Sequence, residues 1–198
     1  MNNRMRWSVD QEHTQVAFKV KHLMIANVEG SFKTFEGSIY TTGRDFTTAE
    51  IDFWIDPASV ESGCLERDEL LKGKDFFNVE KHKEISFVAG TISEPNKEGI
   101  HDLWGKLTMV GISKIIKLNV EFGGIIKDPW TNEKAGFTIT GKIKRSDWGL
   151  VWNTTIEAGG VLISDEISLV CEVELVNIGF KNLSMNLITD ENEILETM

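Results

Sequence analysis

The chain has few cysteines and no long apolar run. Its 198 residues include two cysteines, Cys64 and Cys171, which form no Cys-x-x-Cys motif and indicate no disulfide framework. No apolar run approaches the roughly 18 residues of a transmembrane helix, and no apolar segment follows the arginines of the N-terminus as it would in a signal peptide. We therefore expect a cytoplasmic protein with reduced thiols and no stable membrane insertion.

Basic residues are also scarce. Lysine and arginine number 21 against 31 aspartates and glutamates, which gives a net charge of −10. The excess is concentrated in residues 158–198, which hold one basic and eight acidic residues. A charge of this sign repels phosphate backbones, and no basic patch is interleaved with aromatic residues. The sequence therefore excludes nucleic acid as an expected partner.

Motifs for catalysis, cofactors and metals are missing. The chain has no Gly-x-Ser-x-Gly elbow, no phosphate-binding loop and no GxGxxG before a helix. Its four histidines, His13, His22, His82 and His101, lack the spacing of zinc ligands. We predict no catalytic residue, no cofactor and no metal.

What the sequence does contain is alternation of apolar and polar residues with a period of two, which is typical of half-buried β-strands. The clearest runs cover 16–22, 51–55, 116–122, 137–143 and 167–175, and further strands fit 31–42, 84–94 and 100–110. About eight strands with one apolar face favour an all-β fold, an antiparallel sheet closed on itself so that no edge is exposed.

Two segments break the alternation. Residues 57–79 are interpreted as short helices or an ordered loop that covers the barrel mouth as a lid, with Phe76 and Phe77 as an aromatic plug. Residues 178–198 form an acidic, marginally helical tail. We therefore divide the chain into a barrel domain, 1–177, and a C-terminal tail, 178–198.

Two polar side chains are in phase with the inward faces of their strands. His22 is either a core or rim histidine bonded to backbone, or a contact for a ligand head group. Arg145 either closes the barrel end through a salt bridge or aromatic stack, or forms a fork for an anionic head group such as a phosphate. Asp10 and His13, by contrast, are expected to form a structural turn.

An eight-stranded barrel is wide enough either to be filled by side chains or to hold one elongated ligand. The inward positions are rich in phenylalanine, and Gly37, Gly105 and Gly141 suit curved strands or leave interior space. A long isoprenoid or acyl chain would suit such an interior, and a fully packed core stays open as the alternative. The candidate ligand-binding residues are Phe18, Val20, His22, Phe35, Phe53, Leu70, Phe76, Phe77, Phe87, Leu107, Leu118, Phe137, Arg145 and Trp148.

Short motifs distributed over about residues 7–176 occur in the order of one known family. They are Asp10-x-x-His13-Thr14, Val28-x-Gly30-x-Phe32, Glu66-Arg67-Asp68, Asp75-Phe76-Phe77-Asn78-Val79, Gly105-x-Leu107-Thr108-Met109-x-Gly111-Ile112-Ser113-Lys114 and Arg145-Ser146-Asp147-Trp148-Gly149-Leu150. Together they resemble the YceI-like, lipocalin-like polyisoprenoid-binding family. The chain departs from the family pattern at Glu69, at His82-Lys83 and at Trp148.

The resemblance implies an extended eight-stranded antiparallel lipocalin-like barrel that encloses a long apolar ligand such as a polyprenyl chain. It implies no established catalysis, and it implies homodimers as a common assembly. The leading hypothesis is therefore a carrier or sequestering protein for an isoprenoid or other long-chain lipid. The alternatives are an enzyme, such as an isomerase, that acts on an apolar substrate in the same cavity, and a stress-related interaction protein with a filled barrel.

Overall fold

The computed structural model describes residues 4–154 and 162–179, without the side chain of Thr91, and their strands form one antiparallel sheet. The strands are β1 (Arg4–Val9), β2 (Gln15–His22), β3 (Ala26–Phe32), β4 (Phe35–Thr42), β5 (Asp45–Ile55), β6 (Val60–Glu61), β7 (Ile85–Ile92), β8 (Ile100–Met109), β9 (Ile112–Lys127), β10 (Glu133–Lys144) and β11 (Ile163–Asn177). One α-helix, α1 (Leu65–Lys72), and two 3-10 turns, Pro57–Ser59 and Arg145–Trp148, connect them. The predicted tail lies outside the described residues from 180 onward.

The sheet closes because β11 pairs along its length with β2 and then with β1. Leu169 of β11 lies opposite Phe18, and Leu175 lies opposite Val9. Strands β1 and β2 thus act as one bent strand of the barrel. Strands β3 and β4 likewise count as one bent strand. The result is a closed eight-stranded antiparallel barrel, which confirms the predicted fold.

The strand predicted over 31–42 is in fact two strands. The backbone N–H groups of Lys33 and Thr34 donate to Ser59 Oγ at 3.1 and 3.0 Å instead of extending the ladder. The prediction was wrong here because the hydrogen-bond acceptor that interrupts the strand lies about 25 residues further along the chain.

Residues 57–79 cover one end of the barrel. We call this end the upper end; it also carries the β2–β3 turn, the end of β10 and the start of β11. Within the segment, β6 pairs with β3, and Phe77 packs edge-on against Phe32 with ring centroids 5.7 Å apart. The segment contains α1, in agreement with the interpretation as short helices.

Within the described ranges, no helix has the length and hydropathy needed to cross a bilayer.

The β9–β10 ladder begins at the lower end of the barrel, where β9 turns into β10, but it does not reach the upper end. The β9–β10 ladder stops at the pair Gly141 and Leu118. Above that pair β10 stays bonded to β11, and β9 stays bonded to β8. We call the unpaired stretch between β9 and β10 above Gly141 and Leu118 the seam. Ile116 and Ile143 border both the seam and the barrel interior.

Candidate functional site

The barrel encloses a cavity of about 500 Å³. Its wall is built by the alternation seen in the sequence, since every second residue of a strand points to the same face. In β11, for example, Ile167, Leu169, Cys171 and Val173 all line the cavity. The volume lies within the range of about 300–1,000 Å³ that is typical of small-molecule sites. The interior is therefore open, and the alternative of a filled barrel is not what the structure shows.

Large side chains of the cavity wall lie directly over glycines of neighbouring strands. The ring of Phe18 covers Gly30 on the opposite strand, the ring of Phe87 covers Gly105, and Leu118 covers Gly141. A Cβ atom at any of these glycines would overlap the side chain above it. The space above the interior glycines is thus occupied by neighbouring side chains, and the cavity gains width as a result.

Aromatic rings close the lower end of the cavity. Phe46 packs against Phe137 with ring centroids 4.9 Å apart and against Trp7 at 5.1 Å, and Phe122 lies 5.2 Å from Phe137. Phe46 was not among the sequence candidates. An irregularity in the β4–β5 ladder between Tyr40 and Thr42 shifts the register, so Phe46 is out of phase with the alternation over 51–55.

The upper end of the cavity is polar. Four side chains with polar groups line it there, namely His22, Ser62, Arg67 and Arg145. Trp152 lies beside them, and its ring packs 5.5 Å from Phe76 of the lid. The described cavity wall contains no aspartate or glutamate. The charged groups on this wall are therefore cationic.

Arg145 is 6% exposed and is held by backbone carbonyls. Its Nε donates to Ser164 O at 3.1 Å, and its Nη1 donates to Leu150 O and to Trp152 O. Burial lowers the pKa of Arg145, and the charge of Asp165 partly opposes that effect. Among the described residues Arg145 forms no ion pair, so the predicted salt bridge is replaced by bonds to carbonyl groups.

Arg67 belongs to the lid and was quoted in the sequence only as part of a motif. Its Nε donates to Ser62 Oγ at 2.8 Å and its Nη2 to Ser62 O at 2.7 Å. Ser62 in turn donates through its N–H and Oγ to the buried carboxylate of Asp68, at 2.9 and 2.5 Å. Ser62 thus connects the two charged residues, and within the described part of the chain they form no direct ion pair.

Twelve of the fourteen candidate residues line the cavity. They are Phe18, Val20, His22, Phe53, Leu70, Phe76, Phe77, Phe87, Leu107, Leu118, Phe137 and Arg145. Phe35 and Trp148 do not. Phe35 is 3% exposed and packs behind Phe53, and Trp148 is 2% exposed and donates from its indole Nε1 to Leu107 O at 3.4 Å. Both are buried core residues that do not line the cavity.

The thiol of Cys171 also faces the cavity. Burial raises its pKa to about 11, with a contribution from the charge of Glu172, although a hydrogen bond with Ala17 opposes the shift. The thiol is therefore protonated at neutral pH, whereas a nucleophilic cysteine needs a lowered pKa. Cys171 serves as an apolar wall residue.

Asp10, His13 and Glu174 place potential metal-ligating atoms within 4.8 Å of one another outside the cavity. Lys134 already lies between the carboxylates, with Nζ 2.9 Å from Asp10 Oδ2 and 2.6 Å from Glu174 Oε1. Burial would raise the pKa of Asp10, but hydrogen bonds from Lys134, His13 and the Glu12 N–H lower it to about 2. We interpret the group as a structural ion-pair cluster.

Comparison with known proteins is consistent with this architecture. The model of the YceI-like domain matches residues 7–175. A UPF0312 protein of Staphylococcus epidermidis is 31% identical over 170 residues, which cover 85% of this chain and 96% of the relative. A UPF0312 protein of Staphylococcus aureus is 31% identical over 169 residues, which cover 85% and 95%.

Solved structures with the same fold include three YceI-type barrels. The Campylobacter jejuni YceI protein is 35% identical and superimposes with a TM-score of 0.65, covering 85% of this chain and 95% of that one. BcnA of Burkholderia cenocepacia gives a TM-score of 0.71 at 21% identity, with coverage of 84% and 98%. A polyisoprenoid-binding domain from Saccharophagus degradans gives 0.63 at 16% identity, with coverage of 87% and 99%. With its matched domain, its relatives and its barrel in agreement, the chain belongs to the family of YceI-like domains.

Proposed function

We propose that the protein binds a long apolar ligand, an isoprenoid or acyl-chain lipid, inside the barrel and carries or sequesters it. The observation that supports this proposal most directly is the cavity of about 500 Å³ inside the barrel, whose wall is apolar except at its upper end. Each methylene group transferred from water into such a cavity contributes about 0.8 kcal/mol. A long chain can therefore be held by burial alone.

Family membership supports the same class of ligand. YceI-like proteins are a family of binding proteins, and one structural neighbour is described as a polyisoprenoid-binding domain. An isomerase would need a titratable acid–base pair at the cavity wall, and no described feature of the wall favours one. Homodimer formation, the cytoplasmic location and the division into barrel and tail stay predictions.

The proposal can be tested by blocking the cavity. We expect organic extracts of the natively purified protein to contain a long-chain lipid that mass spectrometry detects in stoichiometric amounts. Val120 is buried and lines the cavity, so Val120→Trp fills part of the interior and should abolish lipid retention. Val88→Trp makes the same change at an exposed position outside the cavity and should retain the lipid.

Thermal unfolding of both variants establishes that the barrel is folded. Two results together would refute the proposal. The first is that wild-type extracts contain no more lipid than extracts of folded Val120→Trp. The second is that delipidated protein takes up neither added geranylgeraniol nor added palmitate.

A further inference from the structure

The seam forms a groove on the outside of the barrel. The groove has a volume of about 510 Å³, and its apolar lining includes Ile116, Ile143 and the buried Trp148. Every second residue of a strand directs its N–H and C=O groups toward the same neighbouring strand. Above Gly141 and Leu118, the groups that β9 and β10 direct toward each other have no ladder partner in the described part of the chain. The seam thus offers two unpaired strand edges beside apolar surface, a combination that suits a peptide segment.

The groove is also basic. Six charged side chains line it, namely Lys114, Lys117, Lys142, Lys144, Asp147 and Glu166. Lys117 pairs with Asp102 of β8 at 2.9 Å, and Lys142 pairs with Glu166 at 2.8 Å. Within residues 4–154 and 162–179, Lys114 and Lys144 form no ion pair, although Lys144 interacts with the charge of Asp165 at longer range. Four lysines against two acids give the groove lining a net charge of +2 on a chain whose net charge is −10.

One segment of the same chain has the complementary composition. Residues 180–198 contain one lysine and four acids, and all four acids lie between 190 and 196. Apolar side chains stand beside them, at Ile188, Ile194 and Leu195. The matched family domain ends at residue 175, so this segment is an addition to the family barrel. Its acids fit the lysines of the groove, and its apolar side chains fit the lining.

The segment is long enough to reach the seam. Val176 of β11 pairs with Lys134 near the lower end, and only β10 separates β11 from the seam. From Lys134, β10 rises by about 27–34 Å to Lys142–Lys144. An extended chain that leaves residue 179 spans about 30 Å at residue 188 and about 56 Å at residue 196. Because the segment is tethered, its local concentration is on the order of millimolar, so even a weak contact is populated.

We propose that residues 188–196 bind in the seam between β9 and β10, with their carboxylates toward Lys114 and Lys144 and their apolar side chains on Ile116 and Ile143. The contact covers a part of the barrel wall where β9 and β10 are unpaired. It involves the outside of the barrel and does not depend on a ligand in the cavity.

Photo-cross-linking of the full chain tests the contact. Benzoylphenylalanine in place of Ile194 should cross-link within one chain, and mass spectrometry should locate the product in peptides that contain residues 112–117 or 142–148. The double variant Lys114→Glu and Lys144→Glu should lower the yield several-fold, because it replaces attraction by repulsion.

A matched control reverses two exposed lysines that do not line the groove, Lys74→Glu and Lys97→Glu, and should keep the wild-type yield. Thermal unfolding establishes that each variant is folded. Cross-links between two chains, seen as a product of doubled mass on a denaturing gel, would assign the groove to a second copy and overturn the proposal. Products scattered over the barrel, or equal yields in the two double variants, would overturn it as well.

Hydrogen exchange tests the same contact without an unnatural residue. Amides of 112–117 and 142–144 should exchange several-fold faster when the four acids are neutralised by Asp190→Asn, Glu191→Gln, Glu193→Gln and Glu196→Gln. Unchanged exchange at both strand edges would contradict the proposal. Lipid retention enters none of these measurements, so their failure would leave the proposed function intact.

Discussion

At the scale of single residues, the width of the cavity depends on pairs of a large side chain and a glycine. The Phe87 ring lies over Gly105, where even a methyl group would overlap its edge atoms. The same arrangement recurs for Phe18 over Gly30. Because protein interiors are closely packed, an added methyl group would displace the ring, and the nearest free space is the cavity.

Gly105→Ala should therefore narrow the cavity. We expect the variant to lose about 1–3 kcal/mol of unfolding free energy through overpacking and to shift its preference toward shorter chains. The measurement is the relative affinity for laurate, palmitate and arachidate. Gly90→Ala, with open space around the new methyl group, is the control and should show the wild-type preference. Adding Phe87→Leu to Gly105→Ala should restore the longer chain; no restoration would contradict the mechanism.

Most of the candidate residues line the cavity, because alternation determines which face of a strand is buried. The prediction failed for residues whose position is not determined by the alternation along a strand. Phe35 is in phase but lies behind Phe53, and Phe46 is out of phase because of a register shift. Arg67 lies on a helix, where a period of two carries no information about the cavity.

At the scale of elements, the lid is the part of the fold that needs external support. Helix α1 has eight residues, which is too short to be stable in isolation, and its Leu65 is 83% exposed. The buried carboxylate of Asp68 fixes its start by accepting two hydrogen bonds from Ser62. This contact anchors the helix to the strand segment that precedes it.

Removing this anchor should loosen the lid. Asp68→Ala leaves the N–H and hydroxyl of Ser62 without their acceptor, and we expect a loss of about 1–3 kcal/mol in stability and faster release of a bound chain. Denaturant unfolding and stopped-flow displacement of a fluorescent fatty acid measure the two effects. Glu66→Ala, at an exposed position of the same helix, is the control. Equal release rates in the two variants would show that Asp68 does not hold the lid.

Elements with a clear repeat could be predicted, and elements defined by a distant partner could not. The long alternating runs of β9, β10 and β11 correspond to strands in the structure. The break between β3 and β4 depends on Ser59, and nothing local in Lys33-Thr34 indicates it.

At the scale of the whole molecule, one ion-pair cluster joins three parts of the barrel. Lys134 of β10 bridges Asp10, in the β1–β2 turn, and Glu174 of β11. Lys134 and Asp10 are 124 residues apart in the sequence. The cluster therefore stabilises closure of the barrel rather than any single hairpin.

This cluster predicts a specific loss of stability in acid. The pKa of Asp10 in the folded protein is about 2, below its ordinary value of 3.8, so its contribution is present above about pH 4 and is lost as the pH falls toward 2. Asp10→Asn should lower stability by about 1–2 kcal/mol at neutral pH and flatten the acid dependence. Urea unfolding across this range measures both. Glu12→Gln, in the same turn, should retain the wild-type slope; a wild-type slope in Asp10→Asn would contradict the assignment.

Closure of the sheet could be predicted from the number of strands and their single apolar face. Whether the interior is open could not, because the same composition suits a filled core. The difference depends on rings that lie over glycines, as Phe18 does over Gly30, and on a lid that covers the upper end without filling it.

The seam between β9 and β10 separates a part of the wall where these strands are hydrogen-bonded from a part where they are not. Below the pair Gly141 and Leu118, widening the barrel between β9 and β10 would break ladder bonds. Above it, Ile116 and Ile143 can move apart without breaking any bond between β9 and β10. Arg145 follows the end of β10 and lies at the same end of the barrel as this seam. If a chain binds in the cavity as proposed, the wall at this seam can widen around it at the upper end without loss of β9–β10 hydrogen bonds.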